Sequence, residues 1–334
     1  MKFFFGFVLI VPLIYQNWIG AVAGIGLILA FMLGMFLRRV MTRALYEKVL
    51  TMVCIMSVTS AAYAICEQVI NSLIDNQYST SRISSVFFYP NYFGTIVGTV
   101  IIICAYKVLT NQGQRPLYFM IALVNAISMY LSESMFAWVE VFLGIAVLLI
   151  ILKKHRLLAV WFLGAALASF LILGLNISIL PRLSDVDVTT QIRFKIWDKA
   201  IKGIMKNPLI GHGLYSYMFD FHQYYQGSII PHAHSIYLDA LLNFGLIGTS
   251  ALLWYFIHFY KSVIKVCFKD KNTMITSLIL AVTAAALVHG IADVTLLWVQ
   301  TLPLFLLILS GIGVYEKPVV RSYSIEKRNE KRIA

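Results

Sequence analysis

Two histidines, His232 and His234, stand at the start of the stretch PHAHSIYLDALLNFGLIG (231–248), where a polar segment runs into an apolar one. Imidazole changes charge close to neutral pH, so a histidine at the water-accessible end of a helix can take up a proton or position a hydroxyl group. Asp239 follows His234 by five positions, which is too far around a helix for a hydrogen-bonded pair. The stretch therefore predicts acid–base chemistry at His234, with His232 as a weaker neighbour, and no Ser-His-Asp triad.

Metal binding is not predicted at these histidines. Two imidazoles two residues apart, with no cysteine or further histidine nearby in sequence, fall short of a zinc ligand set. The distant His289 or Asp293 would complete such a set only through tertiary placement. The pair Asp185 and Asp187 offers carboxylates alone, and hard cations need more oxygen ligands than two side chains supply. The sequence predicts neither a metal nor a cofactor.

The segment TTQIRFKIWDKAIKGIMKNPLIGHG (189–213) predicts a basic amphipathic helix. Apolar residues recur at helical spacing, Trp197 flanks them, and a proline and two glycines end the pattern. Arg193, Lys199 and Lys202 fall mostly off the apolar stripe. Such a helix could lie flat at a membrane surface or pack on the ends of other helices, and both placements remain open. Phosphate and diphosphate suit the fork of a guanidinium, so Arg193 and the lysines are candidates for holding an anionic headgroup.

Long apolar runs must hold these residues in place. The chain is 60% hydrophobic, with 13% charged residues and a mean hydropathy of +0.81, and its apolar runs of about 20 residues match a hydrocarbon core of ~30 Å. The sequence predicts an all-α polytopic membrane helix bundle of about ten spans, at 3–16, 18–37, 49–69, 89–108, 117–132, 135–152, 157–180, 235–260, 273–294 and 297–315. We expect residues 1–334 to form one integral membrane domain, with spans in 3–180 and 235–315. One long extracytoplasmic loop at 181–234 would carry the amphipathic helix, and a cytoplasmic tail would occupy 316–334.

The formal net charge of +12 comes from 27 Lys and Arg against 15 Asp and Glu, and its distribution follows the spans. In this topology 20 of the 27 basic residues lie on the side that holds both termini. Such asymmetry is typical of the cytoplasmic side of a membrane protein, so the charge does not indicate a nucleic-acid partner. The four cysteines lie within spans or on the cytoplasmic side, so no disulfide is expected on the outer face.

Three motifs occur together in the chain: RISSVFFYPNYFG (82–94), RFKIWDKAIKGIMKNPLIGHG (193–213), and His234-Ser235 followed after nine residues by Gly245-Leu-Ile-Gly248. Together they resemble the bacterial O-antigen ligase and polysaccharide polymerase family. Its patterns are an Arg motif followed by Pro-Asn, an Arg-x3-Trp helix followed by Pro-Leu-x-Gly-x-Gly, and His-[Asn/Ser/Gln]-x9-Gly-x-x-Gly. The two glycines of the last motif are expected to permit close helix packing. One stretch departs from the family: members often carry Ser-Arg or Ser-Lys after the fifth span, whereas LSESMFAWVE has Glu133 and no basic residue.

The resemblance implies a metal-independent membrane glycosyltransferase of surface polysaccharide biosynthesis. It implies transfer of a glycan from undecaprenyl diphosphate to a sugar hydroxyl of a glycan or glycolipid, at the outer face of the bacterial cytoplasmic membrane; polymerase and ligase both remain open. His234 is expected to act on the proton of the attacking hydroxyl, and Arg193 to stabilise the charge of the leaving diphosphate. The expected substrate-binding residues are Arg82, Asn91, Lys199, Lys202, His232 and Ser235.

Two other classes of function stay open. One is a transporter or flippase of lipid-linked glycans, although such proteins tend to show paired repeats and charged or broken helices at the membrane midplane. The polar residues here instead concentrate beside one long loop, which favours chemistry at the surface. The other is a non-catalytic member of an envelope complex, motivated by the departure at Glu133. Other envelope polysaccharide assembly proteins are possible partners in each case.

Overall fold

The computed structural model describes residues 1–73, 82–175, 186–220, 224–225 and 228–316, and it is helical apart from one small antiparallel hairpin. The first seven helices are α1 (Lys2–Ile14), α2 (Trp18–Val40), α3 (Arg43–Leu73), α4 (Pro90–Thr110), α5 (Arg115–Leu131), α6 (Met135–Ile151) and α7 (His155–Leu173). The next are α8 (Val186–Lys206), α9 (Ser216–Asp220), α10 (Ile236–Ile264), α11 (Thr273–His289) and α12 (Leu302–Ser310). The strands β1 (Tyr224–Tyr225) and β2 (Ser228–Ile229) lie between α9 and α10. The predicted all-helical class is confirmed.

Among the described residues, five helices are long and apolar enough to cross a membrane. The segments are Trp18–Val40, Arg43–Leu73, Pro90–Thr110, His155–Ile172 and Ile236–Lys269, the last including a π-helical extension of α10. α1, α5, α6, α11 and α12 with its 3-10 extension are apolar as well, but each has only 10–17 residues. These helices support an integral membrane protein, whereas ten spans, the extracytoplasmic loop and the side of the termini stay predictions.

Two predicted spans have different bounds in the structure. The span predicted at 273–294 ends with α11 at His289, and the span predicted at 297–315 begins only with α12 at Leu302. Between them the chain turns. The Asp293 carboxylate accepts the next backbone amide at 2.7 Å, and such local hydrogen bonding competes with a helix.

Parts of the predicted regions lie outside the described residues. These are the end of the span at 157–180, the beginning of the loop with Asp185, and the tail after Glu316. The Asp185–Asp187 pair is therefore not described.

α4 lies at the centre of the bundle, where it packs against α5, α6 and α11. It begins at Pro90, because a proline ring suits the first turn of a helix. Most of its side chains are buried, Phe93 and Tyr106 among them. α2 and α7 instead present large apolar side chains outward: Trp18 is 68% exposed and Leu163 is 71% exposed. Water-soluble proteins rarely expose continuous apolar surface on this scale, which supports a bilayer around the bundle.

α10 is broken at Gly245, which has φ 58° and ψ −170°, a conformation that is essentially restricted to glycine. The segment after α8 fills the break through four backbone hydrogen bonds of 2.8 to 3.0 Å: from His212 to Leu242, from Gly213 to Asn243, from Leu246 to Pro208 and from Ile247 to Leu209. The expectation that both glycines of the Gly-x-x-Gly step serve helix packing is therefore wrong for Gly245. Gly248 does lie against another helix, since a Cβ there would approach Phe7 of α1 to 2.6 Å.

α8 confirms the predicted amphipathic helix and packs on α10. Ile196 and Ala200 are buried against Leu242. Phe194 and Met205 belong to a second apolar stripe that stays exposed. One face of α8 is therefore packed on the bundle, and the exposed stripe has the composition of a helix at a membrane surface.

Candidate active site

The turn before α10 is held in one conformation by hydrogen bonds from three elements. Asp239 Oδ1 accepts the Ala233 amide at 3.0 Å, and Trp197 of α8 donates its indole N–H to the His234 carbonyl at 3.3 Å. The first amide of α10 donates to the Gly290 carbonyl after α11, at 2.8 Å. His234 has φ 46°, in the left-handed region that costs energy for a residue with a side chain. The fold therefore holds a strained turn that presents the His234 ring, and strain of this kind is typical of functional sites.

Asp293, from the turn after α11, lies against both imidazoles. Its Oδ1 is 3.5 Å from His234 Nδ1 and 3.6 Å from His232 Nε2, and the two rings pack edge to face with centroids 4.4 Å apart. Asp293 and His232 are buried, whereas the His234 side chain is 26% exposed. A carboxylate at Nδ1 keeps the ring hydrogen on that nitrogen and leaves the lone pair on Nε2. His234 can therefore accept a proton at Nε2 while Asp293 stabilises the charge that results.

The same three side chains have the number and spacing of a metal ligand set. Their ligand atoms lie within 4.8 Å of one another, and two imidazoles with a carboxylate suit zinc or iron. The hydrogen bonding of His232 does not favour metal binding, because its Nδ1 accepts a hydrogen bond from the backbone amide of His234 at 3.2 Å. The neutral ring then carries its hydrogen on Nε2, the atom that faces Asp293, and a nitrogen that bears a hydrogen cannot bind a metal. The donor set fits a hydrogen-bonded carboxylate–imidazole cluster better than a metal centre, and metal independence stays a prediction.

Burial and neighbouring charges set the protonation of this cluster. The pKa of His232 is lowered to about 3, chiefly by burial and further by the neighbouring His234. The charge of Asp293 raises it again in part. Burial by itself raises the pKa of Asp293, but the imidazoles of His234, His232 and His289 outweigh it and hold the pKa well below its ordinary value. At neutral pH the cluster therefore contains an ionised Asp293 and a neutral His232.

His232 is expected to make the folded state less stable in acid. The pKa of His232 is about 3 in the folded protein, and its ordinary value, taken for the unfolded chain, is 6.5. Between these two pH values the unfolded chain binds a proton that the folded protein does not, so the free energy of unfolding falls as the pH drops. Asp293, with its depressed pKa, stays ionised in the folded state, and the unfolded chain begins to protonate it only below about pH 5. From about pH 6.5 to about pH 4 the loss due to His232 is roughly 3 kcal/mol. The thermal unfolding midpoint in detergent should therefore fall less on acidification in His232→Asn than in the unsubstituted protein.

The matched control for this measurement is His155→Asn, because His155 is an exposed histidine at the start of α7. Its midpoint should follow the unsubstituted protein at every pH. An equal acid dependence in His232→Asn and in the unsubstituted protein would show that His232 is protonated equally in the folded and unfolded states.

Arg82 and Asn91 join the cluster through hydrogen bonds. Asn91 donates its side-chain amide to Asp293 and accepts from Arg82 Nη2 at 2.7 Å. Arg82 Nε also donates to the Ser132 carbonyl at 3.1 Å. This carbonyl belongs to the turn after α5 that contains Glu133. The structure thus brings a guanidinium to that turn from a different part of the chain.

Among the cations of α8, Arg193 lies against the bundle, with its guanidinium 5.2 Å from the centre of the Phe136 ring of α6. Lys199 and Lys202 are exposed, and Lys202 pairs with Asp198 at 2.6 Å. Exposed pairs contribute little energy, but this pair offsets the charge of Lys202. Arg193 is thus placed near α6, and substrate binding by the two lysines stays a prediction.

A second buried pair lies below the cluster, between α6 and α11. His289 Nδ1 is 2.7 Å from Glu140 Oε2, and both side chains are almost fully buried. Thr99 of α4 donates to Glu140 at 3.4 Å, and the Thr95 hydroxyl lies 3.4 Å from His289 Nε2. His289 ends α11, and the Asp293 amide donates to its carbonyl at 3.1 Å. The pair therefore fixes the point from which the Asp293 turn begins.

Asp293 is a site residue whose contact with His234 the sequence does not predict. The residue type of Asp293 does indicate a functional role, because an aspartate at the end of an apolar run needs a polar partner or a water-filled cavity. Nothing local in the sequence connects it to the turn before α10. Glu140 and His289 carry the same kind of signal, and their pairing across 149 positions is equally invisible in sequence.

A cavity of about 230 Å³ adjoins the cluster between α2, α10 and the turn that leads into α12. His232 and Asp239 form part of its polar wall, and Leu27 and Trp298 form part of its apolar wall. Ser235, directly before α10, is buried as well. The cluster therefore borders a space that is lined by both polar and apolar side chains.

Fold and site together define an integral membrane protein with a buried carboxylate and a partly exposed imidazole at one end of its helical bundle. Residues 117–253 match the family model described as O-antigen ligase. The match runs from α5 into α10 and so includes α8 and His234, whereas Arg82 and Asp293 lie outside it. The match confirms the resemblance to the O-antigen ligase/polymerase family that the motifs indicate. The chain has no significant match among curated proteins.

Proposed function

We propose that this protein transfers a glycan from an undecaprenyl diphosphate donor to a sugar hydroxyl of a second glycan or glycolipid. The observation that carries the proposal is the contact of His234 with Asp293, at the start of α10 and within the segment that matches the O-antigen ligase family. The reaction belongs to surface polysaccharide biosynthesis. We place it at the outer face of the bacterial cytoplasmic membrane, with both termini in the cytoplasm.

The proposed step is a direct displacement at the anomeric carbon. The acceptor oxygen forms the new bond to this carbon, and the bond to the diphosphate oxygen breaks, so that the lipid diphosphate leaves with the electron pair. The acceptor proton moves to His234 Nε2, and the resulting imidazolium is stabilised by Asp293 at 3.5 Å from Nδ1.

The leaving diphosphate gains negative charge, and cations held in a partly dry site stabilise it. Arg193 is the first candidate, because it lies on the bundle side of α8. Arg82 is the second, because it reaches the turn after α5 from which a basic residue is missing. In this proposal Asn91 orients both Arg82 and Asp293, since it hydrogen-bonds to each of them.

The remaining predicted residues have places in the same proposal. His232 lines the cavity, whose polar and apolar sides suit a substrate that carries both sugar and isoprenoid, and Ser235 is buried at the start of α10. Lys199 and Lys202, exposed on α8, would meet the anionic donor as it approaches.

A flippase of lipid-linked glycans is the second candidate. The observation that favours it is the break of α10 at Gly245, because irregular backbone within a membrane segment is common at the binding sites of transporters. The two candidates differ in one product: an enzyme forms a new glycosidic linkage, and a flippase forms none.

The test uses the full chain, purified and reconstituted in vesicles with an undecaprenyl diphosphate-linked glycan and an acceptor. We expect a new glycosidic linkage, and an undiminished rate after treatment with EDTA. Lipid-linked acceptors that grow by repeat units would indicate a polymerase, and transfer to a glycolipid core would indicate a ligase. Movement of the donor across the bilayer without a new linkage would contradict the proposal and favour the flippase. A rate that EDTA abolishes and zinc restores would contradict metal independence.

A further inference from the structure

A second pocket opens at the end of the bundle opposite to the histidine turn. It has a volume of about 650 Å³ and lies between the first turns of α3, the last turns of α4 and the start of α11. α4 connects the two sites, because Asn91 near its beginning contacts Asp293 and Lys107 near its end lines this pocket. At 1.5 Å per residue these two positions are about 24 Å apart. The pocket is therefore a separate site, and its lining residues lie outside the segment 117–253 that matches the family.

The acidic group of this pocket is already engaged. Lys107 is 2% exposed, and its ammonium binds the Glu47 carboxylate and donates to the Glu47 carbonyl at 2.9 Å. The Tyr106 hydroxyl donates to the same carboxylate at 2.6 Å. A buried lysine needs such a partner, because an unpaired charge is costly to remove from water. Glu47 therefore neutralises Lys107 and has little charge left for other cations.

Two further cations line the pocket without an acidic partner among the described residues. Arg43 is exposed, and its guanidinium contacts the thioether sulfur of Met274 at 3.5 Å, which is a weak acceptor. Lys48 is exposed and has no ion pair in the described part of the chain. Thr51 and Thr110 also line the pocket, and each donates its hydroxyl to the backbone carbonyl four positions earlier. The pocket thus carries a net positive charge beside neutral polar side chains.

We propose that this pocket binds a phosphate-bearing anion, either the headgroup of an anionic lipid or a soluble phosphate compound. A guanidinium fork and an ammonium are the groups that proteins use for phosphate oxygens. The volume falls in the range of small-ligand sites and exceeds what a single water or ion needs. The position at the ends of apolar helices also suits contact of Arg43 and Lys48 with lipid headgroups. The inference does not depend on the proposed transfer reaction.

The test compares the full chain with the double variant Arg43→Ala/Lys48→Ala, which removes two exposed side chains and leaves the Lys107–Glu47 pair intact. The matched control is Arg39→Ala, since Arg39 is an exposed arginine near the end of α2 that does not line the pocket. Lipid retention is measured by native mass spectrometry after reconstitution with phosphatidylglycerol or phosphatidylcholine. Binding of inorganic phosphate is measured by the shift of the thermal unfolding midpoint, against sodium chloride at equal ionic strength.

The unsubstituted protein and Arg39→Ala should retain phosphatidylglycerol over phosphatidylcholine or be stabilised by phosphate, and the double variant should bind at least about tenfold more weakly. Retention of the lipid alone assigns the site to a headgroup, and stabilisation by phosphate assigns it to a soluble anion. The proposal is overturned if neither probe binds, or if Arg39→Ala weakens binding as much as the double variant does. Normal unfolding midpoints of both variants without ligand establish that a loss of binding is not a loss of fold.

Discussion

Replacement of His234 by alanine is expected to slow glycan transfer by about 10²–10⁴-fold, the contribution typical of a general base. The ring is partly exposed, and its Nδ1 lies 3.5 Å from the buried Asp293 carboxylate. His232 cannot take over, because burial puts its pKa near 3 and its Nδ1 accepts the His234 amide. The measurement is the initial rate of linkage formation by reconstituted protein. The loss should fall on kcat more than on KM, since proton transfer contributes to the transition state.

The control is His258→Ala, which makes the same substitution at an exposed histidine further along α10. Its rate should equal that of the unsubstituted protein. His234→Ala should keep its unfolding midpoint, because the side chain is partly exposed and its 3.5 Å contact with Asp293 is long for a hydrogen bond. If His234→Ala is folded and transfers glycan at the normal rate, His234 is not the base and the proposed mechanism is wrong.

Features that depend on neighbours in the sequence could be predicted. The helix α8 follows from apolar residues at helical spacing, and Ile196 and Ala200 are indeed on its buried face. The start of α4 follows from Pro90, whose ring fits a first helical turn. The membrane class follows from the length of the apolar runs alone. These inferences need no knowledge of how distant segments meet.

Features that depend on tertiary contacts could not be predicted in the same way. Asp293 reaches His234 only because α11 ends at His289. The hydropathy of the sequence does not indicate that the helix ends there. The guanidinium of Arg82 reaches the turn that contains Glu133 through its bond to the Ser132 carbonyl, 50 positions away in sequence. The absence of a basic residue from one motif therefore did not predict the charge at this turn, because a cation reaches it from another segment.

An alanine at position 245 is expected to destabilise the protein by about 3–5 kcal/mol and to lower the unfolding midpoint by roughly 5–10 °C. The backbone of Gly245, with φ 58° and ψ −170°, is strained for any residue that has a side chain. A Cβ there would lie 2.4 Å from the Leu209 carbonyl oxygen and 2.5 Å from the Gly211 amide nitrogen. Both are backbone atoms, so no side-chain rotation relieves the contact. The measurement is thermal unfolding in detergent.

The same substitution should also reduce glycan transfer, because the segment inserted at Gly245 leads directly from α8. Displacing this segment moves the helix whose Trp197 donates to the His234 carbonyl. Gly164→Ala is the matched control, because a Cβ at Gly164 of α7 meets no atom within 4 Å. That variant should unfold at the same temperature or slightly higher, since alanine favours a helix.

Gly248→Ala separates the two explanations of the Gly-x-x-Gly step. A Cβ at Gly248 would approach the Phe7 ring to 2.6 Å and the Phe244 Cβ to 2.8 Å, but the backbone there is helical and lacks the strain of Gly245. If the break of α10 requires a glycine at position 245, Gly245→Ala must lower the unfolding midpoint clearly more than Gly248→Ala does. Gly248→Ala should in turn lower it more than Gly164→Ala does. If both glycines only allow helices to approach, the first two variants should be equally destabilised. Equal losses would contradict the inference that the backbone at position 245 requires a glycine.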